Sequence, residues 1–375
     1  MRRISMLLSI LSISFLLSAA MAQVPAPYGP NITVFDVPWA GTLAGQGTQA
    51  YLINADNTIM GNYLNANGAY RGFLRAPDGT ITKFNVPGAG RAANQGTMAW
   101  GMNAAQVITG VYADAGGVYH SFLRFPDGNF STFDVFVAGK RANQGTFAAN
   151  INGKGETTGW YVDSRNVSHG FFRARDGSLT KFDCPDAGTA AGQGTVTATV
   201  SGMNASGTVV GWYFDATNAF HAYLRTSDGT MTDFDLPDAG KGVFQGTSAT
   251  SINSAGRIVG TYADARGVWH GFVRTSTGYL RDFDVLGAGH KSDQGTLPQT
   301  INAGGTITGY FFDANGAAHG FVRDRFGVIT TFNAPNAGWG KGQGTFAMTV
   351  NSLGAITGYF IDANGVYHGF LRAEN

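Results

Sequence analysis

A Gln-Gly-Thr triplet returns seven times along the 375-residue chain, beginning at Gln46, Gln95, Gln144, Gln193, Gln245, Gln294 and Gln343. Successive copies are 49 residues apart, except for one step of 52 that carries three extra residues before Asn204. Two further markers keep the same beat. A Phe-Asp or Phe-Asn pair falls at Phe35, Phe84, Phe133, Phe182, Phe234, Phe283 and Phe332, and an arginine at Arg75, Arg124, Arg173, Arg225, Arg274, Arg323 and Arg372. Three markers in phase over seven copies limit the chain to a repeat architecture, in which one supersecondary unit is stacked or closed into a ring.

Each unit reads as four short strands. In the second they are 97–103 (TMAWGMN), 107–113 (VITGVYA), 118–124 (VYHSFLR) and 130–135 (FSTFDV). Asp114-Ala115-Gly116-Gly117 and Asp127-Gly128 supply the hairpin chemistry between them, since Asp-Gly flanked by apolar runs favours a tight turn. Such turns account for much of the 55 glycines. A period near 49 with four antiparallel strands predicts an all-β, seven-bladed β-propeller of four-stranded antiparallel blades. The first repeat-like segment, 32–37, is of the fourth type, and the last, 367–372, is of the third type. The N-terminal strand is therefore expected to complete the last blade and close the ring.

The third strand has the form His-x-Phe-x-Arg, as in His169, Phe171, Arg173 and His319, Phe321, Arg323. Residues at i, i+2 and i+4 share one face of a strand, so this Phe and the Phe of the Phe-Asp pair are expected to pack between neighbouring blades. The motif stands as His-Gly-Phe four times, as His-Ser-Phe at His120 and as His-Ala-Tyr at His221, while Arg71 replaces the histidine in the first unit. Together with Ile-Asn-x-x-Gly, as at Ile252 to Gly256, it resembles the bacterial extracellular HAF-repeat family over nearly all of the chain beyond its N-terminal segment. That resemblance implies secretion and no settled activity.

Arg2 and Arg3, the apolar run 4–20 and Ala20-Met21-Ala22 read as a secretory signal over 1–22, cleaved before Gln23. A single propeller domain then spans 23–375, and the expected location is extracellular or periplasmic. No later segment reads as membrane-inserting. With Arg2 and Arg3 removed, 23 basic residues face 24 acidic ones, a balance that removes the usual electrostatic case for binding nucleic acid. The lone cysteine, Cys184, excludes an intramolecular disulfide and reads as a small apolar strand residue. A monomer is expected.

Whatever repeats seven times builds the ring, so chemistry is sought where the symmetry breaks. The motif histidines read as a hydrogen-bond cluster between strands. The turn aspartates Asp114, Asp163, Asp215, Asp264, Asp313 and Asp362 read as turn caps, because one carboxylate per loop falls short of a calcium site. No metal site and no cofactor is expected. The segment joining one blade to the next keeps its Ala-Gly and Gln-Gly-Thr but varies between them. Candidate ligand-binding residues there are Arg91, Lys140, Arg141, Lys241, His290, Lys291, Trp339 and Lys341, expected together on one rim around the channel mouth. Cations beside an aromatic ring suit an acidic polysaccharide. Trp160, Trp212, Tyr310 and Tyr359 on second strands are further candidates for sugar stacking, against a reading as interblade packing. Three functions stay open: a secreted binding propeller for carbohydrate or a cell-surface component, a polysaccharide lyase or glycoside hydrolase using the same rim, and a protein-interaction scaffold. A lyase would use His290 as its base. A hydrolase needs paired carboxylates, and the non-terminal glutamate, Glu156, is expected in a turn on the opposite face.

Overall fold

The computed structural model describes residues 31–374; the expected signal sequence lies outside the described residues. They form 28 strands, seven groups of four, joined by turns. No helix among them is long and apolar enough to cross a membrane. In the second unit the strands are Gly96–Met102, Ile108–Ala113, Tyr119–Arg124 and Phe130–Phe133, running from the inner circle outward. The fourth strand is shorter than its sequence suggests. After Phe133 the chain leaves its partner, and the Val135 amide donates instead to Thr146 Oγ1 of the next unit at 2.9 Å. The same bond recurs at every junction, with the threonine of Gln-Gly-Thr as acceptor.

The expectation of seven separate, wholly antiparallel blades needs correction: all 28 strands belong to one hydrogen-bonded sheet that closes on itself. Within a unit the pairing is antiparallel, but each junction adds a parallel bridge. Gly96 of Gln-Gly-Thr pairs with Tyr70 on the third strand of the preceding unit, and Gly145 pairs likewise with Tyr119. The backbone bond from Tyr70 N to Gln95 O is 2.8 Å long. Glycine makes this possible. Gly96 has φ +112° and a Cβ there would strike the Tyr70 carbonyl, so only a residue without one lets the two backbones meet. The result is a propeller-like ring of seven four-strand units fused into a continuous sheet. Strand Ile32–Phe35 pairs antiparallel with Tyr367–Arg372, from Ile32↔Arg372 to Phe35↔Gly369, so the first described strand is the outer strand of the last unit.

Apolar side chains meet between units. The third-strand aromatics Phe73, Phe122, Phe171, Tyr223, Phe272, Phe321 and Phe370 are fully buried. Phe171 meets Phe133 of the preceding unit edge-to-face at 6.1 Å, and the guanidinium of Arg173 covers the other side of Phe133 at 4.8 Å. Equivalent arginine–phenylalanine contacts, 4.8 to 5.1 Å, occur at all seven junctions. Phe and Arg of His-x-Phe-x-Arg thus clamp the neighbouring unit's phenylalanine. Each arginine interaction of this kind contributes about 0.5–2 kcal/mol.

A second set of links runs around the inner circle. The Asn of Ile-Asn-x-x-Gly shapes its own turn, as Asn54 Oδ1 accepts from the Asp56 and Thr58 amides. Its Nδ2 then donates to the carbonyl of the equivalent Asn one unit on: Asn103 to Asn152, Asn204 to Asn253, Asn253 to Asn302, Asn302 to Asn351 and Asn351 to Asn54. The last of these spans the ends of the ring. The fourth unit departs from the pattern. Its inner strand stops at Thr197, and the three-residue insertion bends inward so that Ser201 O accepts from Ile252 N.

Candidate functional site

The segments joining units lie on one face, beside the turns between second and third strands. Glutamine of Gln-Gly-Thr holds each in place. Gln95 Oε1 accepts from the Ala92 amide of its own loop, and Nε2 donates 3.0 Å to Ala115 O in the adjacent turn. All seven glutamines make the latter type of bond. Asn94, at φ +61°, donates its amide to Gly68 O of the preceding unit. Each loop is thereby tied on both sides, and the side chains it presents start from a fixed backbone.

Arg91, Lys140, Arg141, Lys241, His290, Lys291, Trp339 and Lys341 are all exposed on these loops. They share a face but arrive from different units, and no ion pair or ring contact joins one loop's set to the next among the described residues. Trp339 is 48% exposed, and its ring rests against His319 at 5.5 Å. In the same loop the Lys341 stem lies over Gly316. Arg91 stands near Arg71, whose guanidinium is held below its usual value by burial, with the Arg91 charge adding to it.

Beneath the loops sits the histidine cluster. His120 Nδ1 is 2.8 Å from Asp134, the residue just past the outer strand, and Nε2 is 3.6 Å from the turn residue Asp114. The ring stacks on Tyr112 at 5.0 Å. Asp114 Oδ1 meanwhile accepts from the Gly116 and Val118 amides, which is turn capping. The arrangement recurs at His169, His221, His270 and His368; at His319 an asparagine, Asn333, replaces the aspartate past the outer strand. The hydrogen bond to that aspartate raises the pKa of His120, His169, His221, His270 and His368, against an opposing effect of burial. In the first unit Arg71 takes the place and donates to Tyr70 O at 2.7 Å. Chemically the cluster clamps the outer strand to the turn. No grouping of His, Cys, Asp or Glu among the described residues could hold a metal ion.

Several sequence candidates sit elsewhere. Trp160, Trp212, Tyr310 and Tyr359 are 3 to 7% exposed, and Trp160 lies in a stack with Phe147 and Trp100. They pack the junctions and offer no face to a sugar. Glu156 lies in the turn after the third unit's inner strand and accepts from Asn152 Nδ2 at 2.6 Å, on the face away from the loops. Two concavities escape a motif search, because their linings are far apart in sequence. One, of about 290 Å³, lies where the inner strands end, and its lining mixes apolar residues such as Leu52, Met102 and Ile301 with polar Asn150, Ser201 and Asn253. The other, of about 210 Å³, lies between the fifth and sixth units and holds four arginines. None of the eight loop residues lines either one. Only part of the second is visible in the sequence, where Arg257 and Arg281 differ from the residues in the same place in the other units.

No protein-family model and no curated protein matches the chain. Among solved structures it is similar to the BP39L lectin from Burkholderia pseudomallei, with a TM-score of 0.58 at 12% identity over 90% of this chain and 97% of that one. It is also similar to the Aleuria aurantia lectin, at TM-score 0.46 and 14% identity, covering 80% and 96% of the two chains. A puromycin hydrolase gives TM-score 0.48 and 13% identity, covering 91% of this chain and 56% of that one. The first likeness shows the shared ring fold.

Proposed function

We propose that the protein is a secreted carbohydrate-binding protein whose loop face takes an acidic polysaccharide. One observation carries this reading: Trp339 is held half-exposed on a loop fixed by Gln343, with Lys341 in the same loop. A flat ring on a rigid support loses little entropy when a sugar stacks on it, and cations nearby answer a uronate or sulfate charge. Lys140, Arg141, Lys241, His290 and Lys291 extend the same chemistry around the face. The full-length likeness to a protein called a lectin supports the reading at the level of the scaffold; function rests on the site. Secretion and the HAF-repeat resemblance belong to the same proposal.

The test is retention on immobilised acidic and neutral polysaccharides, and on a glycan array, for the wild type, Trp339→Ala and a Lys241→Ala/Lys291→Ala variant. Trp339→Ala is expected to weaken binding about tenfold, with the far-ultraviolet spectrum unchanged. The lysine variant is expected to lose binding to acidic ligands selectively. Wild-type protein that retains no glycan defeats the proposal. Release of unsaturated product that disappears in His290→Ala defeats it in favour of a lyase.

A further inference from the structure

On the face away from the loops, the junction between the fifth and sixth units carries charge that no other junction has. Arg323 is the repeated arginine of the sixth unit, clamped on Phe283. Three more surround it: Arg257, Arg281 and Arg325. Arg257 and Arg281 break their columns, whereas Arg325 has a counterpart in Arg175 of the third unit. Arg257 stands where other units have Thr58, Val107, Glu156, Thr208, Thr306 and Ala355, and Arg281 where they have threonine or serine. Arg325 belongs to a turn that has also lost its usual Asp-Gly. Phe326-Gly327 and, in the fifth unit, Thr277-Gly278 replace the pair found at Asp78, Asp127, Asp176 and Asp228. The junction therefore gains Arg257 and Arg281 and loses two turn carboxylates, while Asp324 enters where the other units have Ala76, Phe125, Ala174, Thr226 and Thr275.

The geometry brings these groups together. Arg257 Nη1 reaches across to the sixth unit, 3.1 Å from where a Cβ on Gly305 would stand, and Arg325 Cβ is 3.6 Å from the same point. Arg323 is depressed first by its burial and then by the charges of Arg281 and Arg257. Among the described residues no carboxylate pairs with any of the four within 4.0 Å, although thirteen other ion pairs are made. Asp324, the acidic side chain nearest in sequence, spends its Oδ1 on the Phe326 and Val328 amides. Two aromatic rings flank the cleft: Tyr279 is 69% and Phe326 78% exposed, with the Arg325 guanidinium 4.7 Å above the Phe326 ring.

We infer that this cleft is an anion site for a tetrahedral oxyanion carried on a sugar ring, a sulfate or phosphate ester. Guanidinium forks arriving from several directions match the oxygens of such a group, and the flanking rings supply a face for the sugar to lie against. Like charges held this close are unfavourable despite the opposing charge of Asp324 near Arg323, and anion binding relieves that repulsion. The site is separate from the loop face and does not rest on its reading.

The experiment is titration calorimetry with glucose 6-sulfate, glucose 6-phosphate, inorganic sulfate, inorganic phosphate and glucose, in chloride of matched ionic strength. The proteins are the wild type, Arg281→Ala/Arg325→Ala, Arg325→Lys and Trp339→Ala. The two sugar esters are expected to bind more tightly than the inorganic anions, and glucose not at all. The double variant, whose altered side chains are exposed, is expected to lose at least tenfold in affinity; Arg325→Lys loses less and Trp339→Ala nothing. Unchanged affinity in the double variant, with folding verified by circular dichroism, overturns the site. Equal affinity for sugar esters and inorganic anions overturns the sugar ring as part of the ligand. Loss of ester binding in Trp339→Ala would move the ligand to the loop face and overturn the cleft.

Discussion

Replacing Phe35 by alanine tests whether the closed ring behaves as one cooperative object. Phe35 lies on the strand that pairs with Tyr367–Arg372, and its ring meets Phe73 at 6.1 Å and Arg75 at 5.0 Å. The contact is the same as that of Phe84 with Arg124, also 5.0 Å, at an internal junction. A fully buried Phe→Ala change costs about 3–5 kcal/mol. Phe35 is only partly buried, so the cavity part is smaller, while the loss of the aromatic pair and the cation contact adds about 1–2 kcal/mol. The expected total is about 2–4 kcal/mol, a fall in melting temperature of roughly 3–6 °C for a chain of this size. Phe84→Ala should cost slightly more. The assay is thermal unfolding by circular dichroism, with hydrogen exchange read at 367–372. A terminal strand that merely rests on the ring would fray locally, leaving the melting temperature unchanged and raising exchange only at that edge. That result, with Phe84→Ala lowering the melting temperature as expected, refutes the cooperative closure.

Three further expectations concern titratable groups. His120, His169, His221, His270 and His368 have raised values in the fold, so their stabilisation is complete below the unfolded value of about 6.5 and is lost as pH rises through the folded values. The melting temperature should therefore be higher at pH 6 than at pH 8 at fixed ionic strength, and replacing these five histidines by glutamine should flatten the slope; an unaltered slope would show that other groups set it. On the acid side Asp163, Asp215, Asp264 and Asp362 are lowered, the upward effect of burial being outweighed by backbone amide hydrogen bonds, and stability should fall again as pH drops below the usual carboxylate range. Burial pushes the Cys184 thiol up to about 12, so the native protein should resist a thiol reagent at pH 8 and react with one equivalent after denaturation; rapid native labelling would contradict the buried position.

The repeat made the four-strand unit and its aromatic junctions readable, because His-x-Phe-x-Arg states a strand face by its spacing alone. The fusion of the units was not readable. A parallel bridge of one residue pair leaves no pattern in composition, and the glycine that permits it, Gly96, looks like any other turn glycine until its φ and the facing Tyr70 carbonyl are known. The loop residues were legible as exposed and variable, since they sit between two fixed motifs. Whether side chains from different units converge depends on the diameter of the ring, which sequence does not state. The arginine cleft was hidden for the complementary reason: Arg257, Arg281, Arg323 and Arg325 belong to two units and three kinds of segment, and only the junction makes them neighbours.

The asparagine relay bears on how the ring comes to have seven members. On five of these side chains one atom folds the local turn while another reaches 2.9 to 3.4 Å to the next unit. A ring with one unit fewer or more would change the angle between neighbours and alter that reach at every junction together. The misfit would be felt at the narrow inner circle, where there is least room to absorb it. Among the described residues five links are made, while Asn152 turns to Glu156 and Asn54 Nδ2 finds no partner, so the inner circle is left open at two of its seven places.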